Sequence, residues 1–320
     1  MAGTLRPAEV MTLGVERTRE RPGPPRLLFV ATVAGTVSGF LSPFGDYFRS
    51  IGWRVDAAAR GITSDPDCRG HFDDLWDMTW SRDPWDPANL KAAKSLQHIV
   101  HENGYDIVHV HTPIAGFVTR LALREARRRR ATKIVYTAHG FHCHPAGRPL
   151  ANLGFRSLER LAGSQTDILV VINHEDERLA RYSGLAGRGR IIYMPGIGVD
   201  LNHYSRDRLE PDAVASVRSH LGLSSSDNLF LMVAGFQPGK RHVDAVRALH
   251  IMADPHVHLA LAGVGPEMED VQALVRQLGL GTSVRFLGNR DDVPTLLAAS
   301  TGLLLPSVRE GLPRSVLEAM

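Results

Sequence analysis

The sequence predicts an α/β protein made of two doubly wound parallel sheets, and two observations predict it. Short Val- and Ile-rich runs alternate with helical runs of ten or more residues, and the alternation restarts after a polar stretch that follows residue 200. Alternation of this kind builds βαβ units, whose strands are buried on both faces by the crossover helices.

In order from Arg26, "RLLFVATV" reads as a strand, "SPFGDYFRSIG" as a helix closed by Gly52, and "WRVDAAA" as a second strand. A polar crossing over residues 63–89 leads to the helix "NLKAAKSLQHIVHENG". Then come strand "DIVHVH", helix "IAGFVTRLALREARR", strand "TKIVYTAH", helix "PLANLGFRSLERLAG" and strand "DILVVI". The second series opens with a short helix, "AVASVRSHLG", and runs through strand "LFLMVA", helix "HVDAVRALHIM", strand "VHLALAG" and helix "EMEDVQALVRQLG". It closes with strand "SVRFLG", helix "DVPTLLAAS", strand "GLLLPS" and a last helix opened by Pro313. The expected division is a flexible extension over 1–25, a first domain over 26–200 and a second over 201–320. With only four strands and two final helical turns, the second domain is expected to be incomplete, leaving Val316, Leu317 and Met320 uncovered.

Composition narrows the function classes. A net charge of +3, from 37 basic and 34 acidic side chains, is too balanced for a nucleic-acid binder. The local excess in "REARRRR", Arg124–Arg130, suits either a solvated helix end or contact with an anionic membrane. Two cysteines, Cys68 and Cys143, give no disulfide scaffold and fit a reducing compartment. No run of 18 apolar residues suggests a membrane span, and residues 1–25 do not read as a secretion signal.

In doubly wound sheets ligands gather beyond the carboxyl ends of the strands, so the chemistry is sought there. "VAGTVSGF" reads as a glycine-bearing loop after the first strand, with Gly35 facing a phosphate or simply making a tight turn. It is not a GxGxxG fingerprint, which disfavours a dinucleotide oxidoreductase. His109 and His111 share one face of a strand, and His139 precedes Gly140 at the end of the next, followed by His142 and His144. Metal binding, a structural role and a cleft-lining role for His139 are the competing readings, although no zinc-type spacing supports the first. In the second series, Lys240 in "GFQPGKRH" either reaches a phosphate or is solvated. Gly263 and Gly265 in "LAGVGP" could admit a planar group or a phosphate, and Asp292 suits a helix cap. Glu310 and Glu318 flank the turn at Gly311 and Leu312, where backbone N–H groups suit a diphosphate and the carboxylates suit hydroxyls; a solvated Glu318 is the alternative.

Taken together, "VHVHTPIAGFVTRLAL", "TAHGFH", "PGIGVD", "LAGVGP", "DVPTLLAAS" and "LPSVREGLPRSVLEAM" resemble, in order, the retaining glycosyltransferases of family 4, notably bacterial exopolysaccharide and capsule members. The resemblance implies the GT-B arrangement, with an acceptor-side domain, then a donor-binding one, facing a cleft. It implies a nucleotide-diphosphate sugar as donor, a UDP-sugar by preference, a glycan or polyprenyl-diphosphate-linked acceptor, no metal and no other cofactor. Glu318 would hold the ribose, Glu310 the sugar hydroxyls, Gly311 and Leu312 the diphosphate, Lys240 a phosphate, and His139 would lie by the transferred sugar. Gly35 would face the acceptor or the phosphates. A cytoplasmic location, peripheral at the inner face of the membrane, goes with these. The chain departs from the family at Gly235, where an arginine is common, unless Arg241 or Arg314 substitutes, and in ending after "EAM", which reads as a C-terminal truncation. An inactive sugar-nucleotide-binding or scaffold protein and a GT-B nucleotide-sugar epimerase are the alternative readings.

Overall fold

The computed structural model describes residues 23–81, 83, 86–141 and 149–320 and divides into two compact units, meeting between Tyr193 and Met194. The extension expected over 1–25 lies outside the described residues up to residue 22, as do His142, Cys143 and His144.

The first unit holds a seven-stranded sheet. Its strands are β1 (Arg26–Val33), β2 (Arg54–Arg60), β3 (Leu75–Asp77), β4 (Ile107–His111), β5 (Lys133–Ala138), β6 (Ile168–Val171) and β7 (Arg190–Tyr193). They pair in parallel in the order β3-β2-β1-β4-β5-β6-β7. The order reverses between β1 and β4, the switch point at which such sheets open a crevice. Strand period splits β1 between two cores: Leu27, Phe29 and Ala31 pack on one face, Leu28 and Val30 on the other. An uninterrupted apolar strand is what burial on both faces demands.

The second unit holds β8 (Asn228–Val233), β9 (Val257–Ala262), β10 (Val284–Gly288) and β11 (Gly302–Leu303), parallel in the order β10-β9-β8-β11. Here too the order turns back on itself beside the first strand. Leu229 and Leu231 face one core and Met232 the other, again by alternation.

Several elements differ from the sequence reading. Residues 34–40, read as a glycine loop, form a helix directly after β1, Ala34–Phe40, followed by a second helix over Ser42–Ser50. Gly35 and Gly39 are exposed helical positions where an added Cβ would meet nothing within 4 Å, so neither glycine is needed for a turn or a close approach. The run "IAGFVTRLALREARR" is two helices, Pro113–Ala122 and Arg124–Arg128, parted at Leu123. A helix over His174–Ser183 and strand β3 were not read at all. The last strand pairs over only two residues, with Leu304 N–H adding a further bond to Leu231 at 2.8 Å. The division falls before "MPGIGVD" because this segment packs on the second unit: the backbone of Gly196 lies against Leu312, where an added Cβ would sit 1.9 Å from Leu312 Cδ2. No residue of the final helix, Arg314–Ala319, is fully buried; Val316 and Leu317 are half-buried and Met320 is exposed.

One buried ion pair binds the helices of the first unit. The guanidinium of Arg120 is fully buried, lies 4.0 Å over the ring of Tyr136, donates to Gly116 O at 2.9 Å and pairs with Glu159 of helix Pro149–Gly163 at 2.8 Å. Gly116 permits the approach, since a Cβ there would meet the Tyr136 ring at 2.7 Å.

Candidate functional site

Each unit gathers polar groups at the carboxyl edge of its sheet, and each is described by itself. In the first, register sets the histidines: Phe29 pairs with His109 across β1–β4, and His111 with Thr137 across β4–β5. His109 Nε2 bonds Thr137 Oγ1 at 2.8 Å, and His111 Nδ1 bonds His139 Nε2 at 3.0 Å. The rings form a chain, with Phe29 to His109 at 5.5 Å, His109 to His111 at 4.3 Å, His111 to His139 at 5.3 Å and His139 to Phe40 at 6.1 Å. Burial holds all three imidazoles in the neutral form: it lowers His139, takes His111 well down, and takes His109 to about 3, with the neighbouring His139 adding to the last. His111 Nε2 has no hydrogen-bond partner.

This burial carries a pH dependence. A neutral buried histidine has a folded pKa below its unfolded one, so the unfolded chain binds the extra proton and stability falls as pH drops below about 6.5. Thermal unfolding of the first unit is expected to move to lower temperature between pH 7.5 and pH 5, and a His109→Gln/His111→Asn variant should flatten that slope. An unchanged slope in the variant would assign the acid sensitivity elsewhere.

At the same edge, on the β1/β4 switch, Thr32 and Thr112 share a 2.6 Å hydroxyl contact. Thr112 has φ +69°, a conformation that a β-branched residue adopts only at a cost of about 1–3 kcal/mol. Neither threonine stood out in the sequence; the available signal was a hydroxyl wedged between His111 at a strand end and Pro113 at a helix start.

In the second unit the ends of β8, β9 and β10 surround an open pocket of about 400 Å³, lined by Gly235, Gly263, Asn289, Arg290 and Asp291 among others. Gly263, at φ +140°, lies where a Cβ would meet Ala234 O at 2.2 Å, and Gly265 where one would meet Phe236 O at 2.5 Å. Both glycines let the β9 loop close on the β8 loop, and Gly263 also lines the pocket. Gly235 is different: a Cβ there would meet Val264 O at an ordinary 3.5 Å.

Beside this pocket the turn Pro238–Lys240 is held by the loop after β11, whose Val308 N–H donates to Gly239 O at 2.9 Å. Lys240 Nζ thereby reaches Glu310 Oε1 at 2.6 Å. Gly311 follows in the turn, and Leu312 is committed to packing on Gly196. Glu318, only 9% exposed, pairs with Arg314 at 2.7 Å one helical turn earlier. Burial, then the charge of Glu318, push the Tyr204 phenol up to about 12, which marks Tyr204 as a neighbour that the sequence did not single out.

The two arginines considered as substitutes at Gly235 are engaged: Arg314 with Glu318, and Arg241 with Asp244 through bonds of 2.7 and 2.9 Å. Arg290 likewise forks onto Asp292 at 2.7 and 2.6 Å, so Asp292 makes no capping bond and its carboxyl is held below the usual range. Thus each of these cations, with Lys240, carries its own carboxylate. No group of three or more metal-ligating side chains is assembled among the described residues.

Comparison with known proteins places these edges in a family. Residues 45–196 match the glycosyl transferase 4-like domain and residues 215–320 match glycosyl transferases group 1. EpsD of Bacillus subtilis (strain 168), a provisionally assigned glycosyltransferase, is 33% identical over 299 residues, 92% of this chain and 76% of EpsD. The chain belongs to this GT-B glycosyltransferase family. The UDP-Gal:α-D-GlcNAc-diphosphoundecaprenol α-1,3-galactosyltransferase of Escherichia coli is 28% identical over 236 residues, 72% of this chain but 59% of that one. Among solved structures, HepE of Anabaena in complex with UDP and glucose superposes with a TM-score of 0.73 at 20% identity, over 92% of this chain and 78% of HepE, and shares the fold. Within the family's two modules, His139 belongs to the 4-like match, while Lys240, Glu310 and Glu318 belong to the group 1 match.

Proposed function

We propose that this glycosyltransferase-family chain moves a sugar from a nucleotide-diphosphate sugar, a UDP-sugar by preference, to a glycan or polyprenyl-diphosphate-linked acceptor, with retention of anomeric configuration, in exopolysaccharide or capsule synthesis. It works in the cytoplasm at the inner face of the membrane. The observation that carries the donor half is the glycine-lined pocket at the ends of β8, β9 and β10 with the Lys240–Glu310 pair on the adjoining turn. The likeness to EpsD and to the galactosyltransferase, whose name states a UDP-Gal donor and a diphosphoundecaprenol acceptor, supports the wider reading.

In this reading the ribose hydroxyls take Glu318, whose carboxylate accepts, and the diphosphate takes Lys240, which leaves Glu310 free to accept from the donor sugar. The N–H groups of Gly311 and Leu312 face the same diphosphate. By the family resemblance His139 would serve the transferred sugar, and as a neutral imidazole it is able to donate or accept without bringing charge. The acceptor hydroxyl attacks on the side from which the diphosphate leaves, and the leaving phosphate takes its proton.

Calorimetric titration with UDP tests the donor site. Glu318→Ala is expected to weaken binding at least tenfold, about 1.4 kcal/mol. Equal affinity in the two proteins would remove Glu318 from the site, and no UDP binding by either would overturn the reading.

A further inference from the structure

His111 is only 3% exposed and lies too deep to meet a ligand itself, yet one of its nitrogens is spent on His139. Its place is fixed from both sides. Its backbone pairs with Thr137 in the β4–β5 register. The next residue, Thr112, donates to His111 O at 2.5 Å and accepts from the N–H of Thr32 on β1 at 3.2 Å. The His139 ring is confined as well, stacked on His111 at 5.3 Å and 30° and on Phe40 at 6.1 Å and 26°. With both rings held, the position of the proton between them is the freedom that remains.

Burial keeps both imidazoles neutral, so the 3.0 Å contact between His111 Nδ1 and His139 Nε2 contains one proton. The two ways of placing it differ at the far side of each ring. If His139 Nε2 donates, the proton of His111 sits on its own Nε2, which is buried without a hydrogen-bond partner. If His111 Nδ1 donates, His111 Nε2 is a bare lone pair and His139 carries its proton on Nδ1. A buried N–H with no acceptor is rarer than an under-used acceptor, and a stranded donor forfeits its hydration. The second arrangement is therefore favoured. Since Nε2 of His139 is taken by His111, Nδ1 is the nitrogen of this half-buried ring that can turn to a ligand.

We propose that His111 is a positioning residue that fixes His139 as the Nδ1–H tautomer, so that His139 meets the transferred sugar as a hydrogen-bond donor. The proposal rests on His139 serving that sugar, and it adds which nitrogen does so and what the sugar must offer, a hydroxyl oxygen with a free lone pair. Nitrogen-15 spectra of the ligand-free, histidine-labelled chain read the tautomer without any substrate. His139 is expected to show a protonated Nδ1 and a bare Nε2, although an imidazole in water favours the opposite form. His111→Phe keeps a ring in the core but removes the donor, and should shift His139 towards Nε2–H. His111→Asn, whose amide nitrogen falls where Nδ1 was, should restore the wild-type spectrum. Thermal unfolding of each variant confirms that it folds. The second readout is calorimetric titration with UDP and with UDP-glucose and UDP-galactose. His111→Phe should weaken the tighter-binding of the two sugar nucleotides at least threefold and leave UDP unchanged, because only the sugar loses a bond. An Nε2–H tautomer in the wild type, a tautomer that His111→Phe does not move, or an Asn variant that behaves as the Phe variant does would overturn the proposal. So would sugar-nucleotide affinities that follow UDP in every variant. Failure of the wild type to bind UDP at all would instead remove the donor site, and the tautomer spectra would still decide the role of His111.

Discussion

Lys240→Met is expected to weaken UDP binding by ten- to a hundredfold and leave the affinity for uridine unchanged. A hydrogen bond to a charged group is worth about 1.5–3 kcal/mol, and only the ligand with phosphates offers one. The fold should not register the change. The Lys240–Glu310 pair is partly exposed at both ends, and such a pair contributes at most about 1 kcal/mol to stability. Since Glu310 neutralises the lysine at 2.6 Å without ligand, Glu310→Gln is expected to release it and to tighten binding of UDP while weakening that of the intact donor, whose sugar loses an acceptor. Gly235→Arg is the complementary change. The site has room for a Cβ, and a guanidinium entering the pocket should strengthen UDP binding about tenfold. A Lys240→Met protein that binds UDP and uridine as the wild type does would leave the Lys240–Glu310 pair a surface contact only.

The second large effect concerns stability. Glu159→Leu strips the partner from a guanidinium that has no access to water, and breaking a buried pair in this way costs about 3–5 kcal/mol. The double variant Arg120→Met/Glu159→Leu removes both charges and is expected to recover most of that loss, because an apolar pair of similar volume carries no desolvation penalty. Chemical denaturation of the three proteins measures the difference. A double variant as unstable as Glu159→Leu would mean that the packing of Arg120 on Tyr136, not the charge, carries the interaction.

What could be read in advance was whatever depends on near neighbours in the chain. The strand and helix series was legible because burial on both faces leaves continuous apolar runs, as in "LLFVA" and "VHLALA", and because Gly104 stops its helix at φ +61°. Helix His174–Ser183 was equally marked, by the Asn173 cap that accepts from Asp176 at 2.7 Å, the acids of its first turn and Gly184 at its end, and went unread. The glycines at 35 and 39 misled because glycine permits a turn without requiring one, and nothing local says which.

The sequence by itself determined the two parallel sheets, the segments after the strands in which Lys240, Glu310, Glu318 and His139 fall, and the family to which the motifs point. Tertiary structure alone decided who meets whom. Lys240 and Glu310 are 70 residues apart and touch only because Val308 bonds the turn at Gly239. His139 joins the imidazole chain only through the register of β4 on β5. The exposed leucines of helix Pro149–Gly163 look, in sequence, like an ordinary core stripe. In the structure Leu150, Leu153, Leu158 and Leu161 are exposed, and the side drawn inward is the one that carries Glu159, paired with Arg120 across 39 residues. Local sequence sets period and propensity, but a charge is drawn inside by its partner, and a partner is chosen by the fold.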